Sequence, residues 1–341
     1  MLVTQHPVFR RFWYPVVPIA RVQQGPQAFC LLGQNLVLWL DRTGRPAAAV
    51  DRCCYCSARL SLGTVQDDCL QCASYGCWQL NADRKRDRIP QLRDRPVLET
   101  ERTQTFRCDR RYGYVWVCLD DPISDIPGIP EAEDPRFRYI PQFYEVWNCA
   151  ALRLMENSFD NAHPHFVHAQ TFGLQQSPIP PAPDSFTETA EGFQMTYRLP
   201  AKNTEVQKRN LRLDESTTVR TSQGNWFLPF TRSLKITYPN GLVHLIFTAA
   251  TPISDRSIQV LQFCLRNDTE AEAKASEIVA FDRQVTLEDK VVLESTDFDV
   301  PLRLQDEQHM VSDKPGIIMR RRLAALIERD ERKNVERTLR H

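Results

Sequence analysis

Across 341 residues the chain carries 43 Lys plus Arg against 43 Asp plus Glu, a formal net charge of zero, so no overall field draws it toward nucleic acid or an anionic membrane surface. Its length is about twice a common domain size and implies two hydrophobic cores. No apolar run reaches the roughly 18 to 20 residues that span a bilayer, and residues 1–27 lack the basic, apolar and small-residue blocks of a signal peptide, which predicts a cytoplasmic protein with no membrane span.

The first third reads as short strands. Residues 29–40 are apolar and close on Asp41-Arg42-Thr43-Gly44, and residues 112–119 have the aromatic and β-branched content of a buried strand. Proline then crowds the chain between Pro122 and Pro141, which favours an extended crossing and sets the domain boundary there, with one domain over 1–125 and a second over 126–341. Beyond it, residues 152–168 carry a helical pattern broken at Pro164, and residues 178–183 read as a loop. Residues 233–238 alternate, Pro239-Asn240-Gly241 turns, and residues 242–248 alternate again, a hairpin signal; residues 257–265 supply another strand. Residues 270–294 are helical in composition with no glycine or proline, and residues 317–333 form a second, highly charged helix. The fold class is α+β, an all-β first domain followed by a domain of sheet and helices, with no internal repeat.

Eleven cysteines without a secretion signal point to a reducing compartment and to metal ligation rather than disulfides. Six of them, Cys53, Cys54, Cys56, Cys69, Cys72 and Cys77, crowd between positions 53 and 77, while the others lie singly in strand-like stretches and read as inert core residues. Histidines cluster as well, since three of the seven, His163, His165 and His168, fall within six residues. Interrupted at Pro164, the chain can bring His163 and His168 onto one metal, and Asp160, three residues before His163, can hold an imidazole by its second nitrogen. A polar helix with incidental histidines is the bland alternative.

Asn157-Ser158-Phe159-Asp160-Asn161-Ala162-His163 followed by His168 resembles the mononuclear-iron motif of the Rieske non-haem iron oxygenases. Upstream, Trp13-Tyr14-Pro15-Val16, Asp51-Arg52-Cys53, Leu60-Ser61-Leu62-Gly63, Leu70-Gln71-Cys72, Ile89-Pro90-Gln91 and Tyr112-Gly113-Tyr114-Val115-Trp116 are similar to landmarks of that family in the expected order. The likeness covers roughly residues 10–335. It implies a catalytic domain with a curved antiparallel sheet wrapped around helices, and a mononuclear Fe(II) held by two histidines and one carboxylate. Thr286-Leu287-Glu288-Asp289 resembles the segment that supplies the carboxylate; the matching residue is Asp289, with Glu288 and Asp282 as substitutes, and His165 is read as a supporting or structural residue.

The same likeness implies a first-domain cluster held by two cysteines and two histidines, and here the chain departs from its family. Cys53 and Cys72 match the cysteine ligands, but Tyr55 stands where the first histidine belongs and Tyr75 or Gly76 where the second does. His6 is the only histidine before His163, so a standard Rieske centre is excluded on ligand supply. Three readings stay open. Cys53, Cys56, Cys72 and Cys77 read as an all-thiolate [2Fe-2S] site of lowered potential, with Cys54 as the substitute for Cys53 and Cys69 as a spare. The same pairs are also a zinc pattern, which would leave a structural domain, and in the third reading the loops are empty.

The resemblance therefore implies an oxidoreductase that activates O2 at iron held by His163, His168 and Asp289, to hydroxylate or oxidatively demethylate a small, largely apolar, cyclic or aromatic substrate. Electrons would come from a ferredoxin or flavoprotein reductase to the cluster and cross through Asp160, with Asn157 beside the route, to the iron of a neighbouring subunit in a head-to-tail homotrimer. The competing class is a redox-inactive ligand-binding or scaffold protein on the same fold, with zinc or no metal in the cysteine loops.

Overall fold

The computed structural model describes residues 1–66, 69–74, 103–174 and 182–338. These fall into two compact units, Phe9–Ile126 and the combination of Met1–Val8 with Pro127–His341.

The Phe9–Ile126 unit is built of strands β1 (Tyr14–Pro18), β2 (Gln27–Leu31), β3 (Gln34–Leu40), β4 (Pro46–Val50), β5 (Thr64–Gln66), β6 (Cys69–Gln71), β7 (Thr105–Arg111) and β8 (Tyr114–Cys118), with a single helical turn α1 (Ile19–Val22) after β1. Six strands make an antiparallel sheet in the order β1-β8-β7-β4-β3-β2, and β5 pairs with β6 apart from it. The apolar stretch 29–40 is not one strand but a hairpin. Leu32 and Gly33 both take positive φ (50° and 76°), the conformation that a two-residue turn between right-twisted strands demands. Leu31 and Leu32 are both buried, so the apolar run continues into the first turn residue and the break shows only at Gly33-Gln34-Asn35.

In the larger unit a seven-stranded antiparallel sheet runs β10-β11-β12-β13-β14-β15-β9. Its elements are β9 (Arg138–Trp147), α2 (Ala151–Phe159), α3 (Pro164–Val167), β10 (Ser185–Glu188), β11 (Gly192–Lys202), α4 (Glu205–Leu211), β12 (Thr217–Phe227), β13 (Thr231–Thr237), β14 (Val243–Pro252), β15 (Ile258–Arg266), α5 (Ala275–Leu293) and α6 (Lys314–Thr338). The hairpin expected over 233–248 is β13 and β14. The proline-rich crossing leads into β9, where Pro141 lies next to a register shift; an edge strand tolerates the missing N–H. Burial alternates residue by residue along β12, so one face of the sheet is turned inward. Against that face lies α5, which begins at Ala275 and not at 270, because Glu270 and Glu272 are spent on the preceding turn, accepting from the N–H groups of Ala275 and Thr269.

Candidate metal centres

Helix α2 ends on Asp160, whose backbone is extended (φ −82°, ψ 124°). Its carboxylate turns back on the chain, accepting from the N–H of Ala162 at 2.7 Å and of His163 at 3.2 Å. This side-chain turn delivers His163 as the cap of α3, with Pro164 in the first turn, where a missing N–H leaves nothing unsatisfied. His168 closes the other end of α3, its N–H donating to Pro164 O at 3.2 Å. On a continuous helix two residues five apart would point about 140° from each other; at the two ends of one turn they converge. The turn is packed tightly from behind, since a Cβ on Gly173 would lie 2.2 Å from Pro164 O.

The Nε2 atoms of His163 and His168 are 3.3 Å apart, and Asp289 Oδ1 lies 3.5 Å from the first and 3.2 Å from the second. Ligands placed about 2.0–2.2 Å from a shared ion have mutual separations of this size. Asp289 Oδ1 is buried and receives no aligned hydrogen bond. Burial raises the Asp289 pKa, but His168, His163 and Asn157 outweigh it and hold the carboxyl below its ordinary range. An unsatisfied buried oxygen facing two imidazole nitrogens fits a divalent cation, and two histidines with one carboxylate are the donor set of non-haem iron(II).

A carboxylate lies behind the other nitrogen of each imidazole. Asp160 Oδ2 lies 3.3 Å from His163 Nδ1 without an aligned hydrogen bond, and Glu288 Oε2 lies 2.8 Å from His168 Nδ1 while also accepting from Thr171 Oγ1 at 2.9 Å. Burial works against charge on His168, yet Asp289 and Glu288 outweigh it and raise the pKa. The sequence reading held Glu288 only as a substitute ligand; neighbours on α5 point about 100° apart, so Asp289 meets the Nε2 side of His168 and Glu288 the Nδ1 side. Asp282, the other substitute, lies two helical turns away and faces His244 Nε2 at 3.2 Å. His165 is buried with Nδ1 2.6 Å from Leu174 O, outside the ligand group.

Beside this group the inward face of the sheet and α5 enclose a cavity that is partly open to solvent. From α5 it receives Ile278, Phe281, Asp282, Val285, Thr286 and Asp289, the three-and-four spacing of one helix face. From the strands come an apolar set, Leu199, Leu234, Ile236, Ile246 and Val260, and a polar set that sequence reasoning did not reach. Arg220, Arg232, Arg266, Tyr197, His244 and Gln262 all line it. The signal for them is alternation: Arg220 occupies an inward position of β12.

In the smaller unit the Sγ atoms of Cys53, Cys56 and Cys72 all lie within 4.8 Å of one another, with Cys56 and Cys72 at 3.7 Å. Cys53 and Cys72 are buried in a core with Val37, Trp39, Leu60 and Leu70, and Cys56 packs against it. Two details bring the loops together. A Cβ on Gly63 would meet Gln71 O at 1.9 Å, and Asp51 accepts from the N–H and Oγ of Ser61, both at 2.7 Å. Burial pushes the Cys53 thiol up, whereas the Ala58 N–H lowers the pKa of Cys56. Cys54 points away and is exposed, and Cys69 is buried outside the group. Tyr55 is exposed. Cys77, with Tyr75 and Gly76, lies outside the described residues. Three converging thiols fit a thiophilic metal centre that takes its remaining ligand from elsewhere.

Residues 147–329 match the vanillate O-demethylase oxygenase C-terminal domain, and residues 12–105 match the Rieske [2Fe-2S] domain. Methylxanthine N1-demethylase NdmA of Pseudomonas putida is 28% identical over 330 residues, 94% of this chain and 89% of that protein. The vanillate O-demethylase oxygenase subunit of a Pseudomonas species is 30% identical over 157 residues, 43% of this chain and 44% of its own. The structure of Pseudomonas putida NdmA with caffeine superimposes with a TM-score of 0.82 at 27% identity, covering 96% of this chain and 94% of that one. With more than half of its length in the first of these domain families, and the Rieske domain ahead of it, the chain belongs to the Rieske non-haem iron oxygenases.

Proposed function

We propose that His163, His168 and Asp289 hold a mononuclear Fe(II), and that a small cyclic substrate is hydroxylated or oxidatively demethylated in the cavity beside it. The observation that carries this reading is the buried, unpartnered Oδ1 of Asp289 facing two Nε2 atoms at 3.5 and 3.2 Å. Iron in such a site supplies O2 activation. The chain's own residues orient and enclose: Asp160 and Glu288 fix the imidazole rings through Nδ1, Asn157 holds Asp289, and the apolar wall from β11 to β15 excludes water from a ring-shaped ligand. The names of the relatives support a cyclic substrate, since NdmA is a methylxanthine demethylase and the vanillate enzyme an O-demethylase.

Cys53, Cys56 and Cys72, with Cys77 as the fourth, are proposed to hold a [2Fe-2S] cluster without histidine. Three convergent thiols and the absence of any histidine between His6 and His163 support this. Rieske oxygenases take electrons from a ferredoxin or a reductase, and this chain is proposed to pass them through Asp160 to the iron of the next subunit in a head-to-tail homotrimer. Asp160 is 30% exposed and shares a groove with Asn157, Val292 and His309, beside the exposed Val291, Met310 and Val311, an apolar patch of the kind that interfaces cover.

The test is metal content and an optical spectrum of anaerobically purified protein. His163→Ala and His168→Ala should each lose the mononuclear iron while the chain stays folded; full iron occupancy in both variants refutes the site. The cluster should have a low potential that varies little with pH near neutrality, because no imidazole couples protons to reduction. Nitrogen coordination, or a colourless protein that retains zinc, refutes the thiolate cluster.

A further inference from the structure

Two arginines of the cavity have no carboxylate bonded to them. Arg266 is matched by Asp268, with Nε at 3.1 Å from Oδ2, and donates to Asn210 O at 2.7 Å. Asp282 is engaged by His244 and by the amide of Gln142, and Asp160 and Asp289 by the histidines of the iron site. Arg220 and Arg232 are different. Both line the cavity, the Nε of each is buried without a hydrogen-bond partner, and among the described residues no carboxylate pairs with either. Arg220 is only 8% exposed. Its guanidinium lies 4.5 Å from the centroid of Phe172, which stacks on His168 at 4.9 Å, and within reach of the Tyr238 hydroxyl. Arg232 sits close enough to Asp289 to feel its charge. Tyr197 stands in the field of both guanidiniums, its phenol held by Ser222. Two guanidiniums and a phenol thus line the cavity that also receives His163, His168 and Asp289, walled by aliphatic side chains.

A guanidinium taken out of water without a counter-ion is costly, and its planar fork matches a carboxylate better than any neutral acceptor. Arg220 is also fixed by its stacking, so little freedom is lost when a ligand arrives. Resting on the oxygenase reading of this cavity, we propose that the substrate is a cyclic acid whose carboxylate is held between Arg220 and Arg232, beside the Tyr197 hydroxyl, with its ring against Leu234, Ile236 and Ile246. The charge places one end of the ring, and the opposite edge is left for the iron. A neutral ring of the same size leaves both arginines unpaired.

The experiment uses the iron-loaded protein, with benzoate and benzamide as probes of equal shape and different charge, measured by calorimetry. Benzoate should bind at least about tenfold more tightly than benzamide, as expected for a charge-assisted bidentate contact. Arg220→Gln and Arg232→Gln should each remove that preference and leave benzamide unchanged, whereas Arg220→Lys should retain part of it. Equal binding of the two probes, no benzoate binding at millimolar concentration, or an undiminished preference in the double glutamine variant overturns the proposal. Repeating the titration after chelation of iron separates the two readings. A preference that persists without iron belongs to the arginines, and one that vanishes with iron shows benzoate ligating the metal and overturns the proposal. Failure of the oxygenase reading would appear elsewhere, as an absence of iron at His163, His168 and Asp289.

Discussion

Glu288 and Asp160 make a matched pair of carboxylates, one behind each of the two clustered imidazoles, and they differ in surroundings. Glu288 is doubly engaged, by His168 Nδ1 and Thr171 Oγ1, and its side chain is 19% exposed; Asp160 is 30% exposed and sits at 3.3 Å from its histidine. We therefore expect Glu288→Gln to weaken iron binding by about 10- to 100-fold, because loss of the anion frees the His168 ring to turn; a metal titration reads this directly, and unchanged affinity refutes the steering role. Asp160→Asn keeps the shape and the turn onto Ala162 while removing the charge. It should leave iron bound but slow turnover with a natural electron donor, and unchanged turnover counts against a route through Asp160. Much of this was written in the local sequence, since Asp160, Pro164 and the spacing of His163 and His168 act within one turn of chain. Glu288 was not, because it approaches from a helix more than a hundred residues further on.

At the scale of elements, α3 is a one-turn helix whose geometry depends on what lies behind it. Gly173→Ala would force a Cβ into Pro164 O and the His168 carbonyl, so the turn must open. We expect a destabilisation of about 1–3 kcal/mol, as for other overpacked sites, accompanied by loss of iron; a variant with native melting temperature and full iron would refute it. Helix α2 is tied to α6 by a charged group in which the buried Arg320 reaches Glu156 and Glu307, and Arg153 reaches Glu307 as well. Arg153 and Arg320 hold the Glu307 pKa at about 2, against an ordinary value of 4.5. A depressed carboxyl contributes stability that is complete above its unfolded value and lost as pH falls. Acid unfolding should therefore draw on Glu307 between about pH 4.5 and 2. In Glu307→Gln that part of the pH dependence should vanish from denaturant midpoints measured across the window. Arg320→Met should cost about 3 kcal/mol at neutral pH by leaving Glu156 and Glu307 to share Arg153 alone.

At the scale of the molecule, each unit has its own sheet and its own candidate metal group, so the two sites should load separately. Cys56→Ser is expected to remove the cluster irons and their colour from the smaller unit while the mononuclear iron stays in place. Loss of both together, with a folded protein, would refute independent loading. No helix among the described residues is long and apolar enough to cross a membrane.

The sequence by itself determined the elements whose signals are local. The broken helix carrying His163 and His168 and the hairpin of β13 and β14 follow from turn chemistry, proline and spacing, whereas the choice of Cys53 and Cys72 among six clustered cysteines came from the likeness to the family. Even there, adjacency left choices open, and burial made them. Cys53 rather than Cys54 joins the thiol group because consecutive side chains point apart and only one can enter the core. The tertiary structure alone decided the composition of the cavity. Arg220, Arg232 and Tyr197 come from three strands, and His244 and Gln262 from two more, each an unremarkable polar residue in its own segment. Strand pairing brings them to one face, and only there does a guanidinium without a bonded carboxylate acquire chemical meaning, since the cost of an unpaired charge depends on the surrounding medium and not on the residue that bears it.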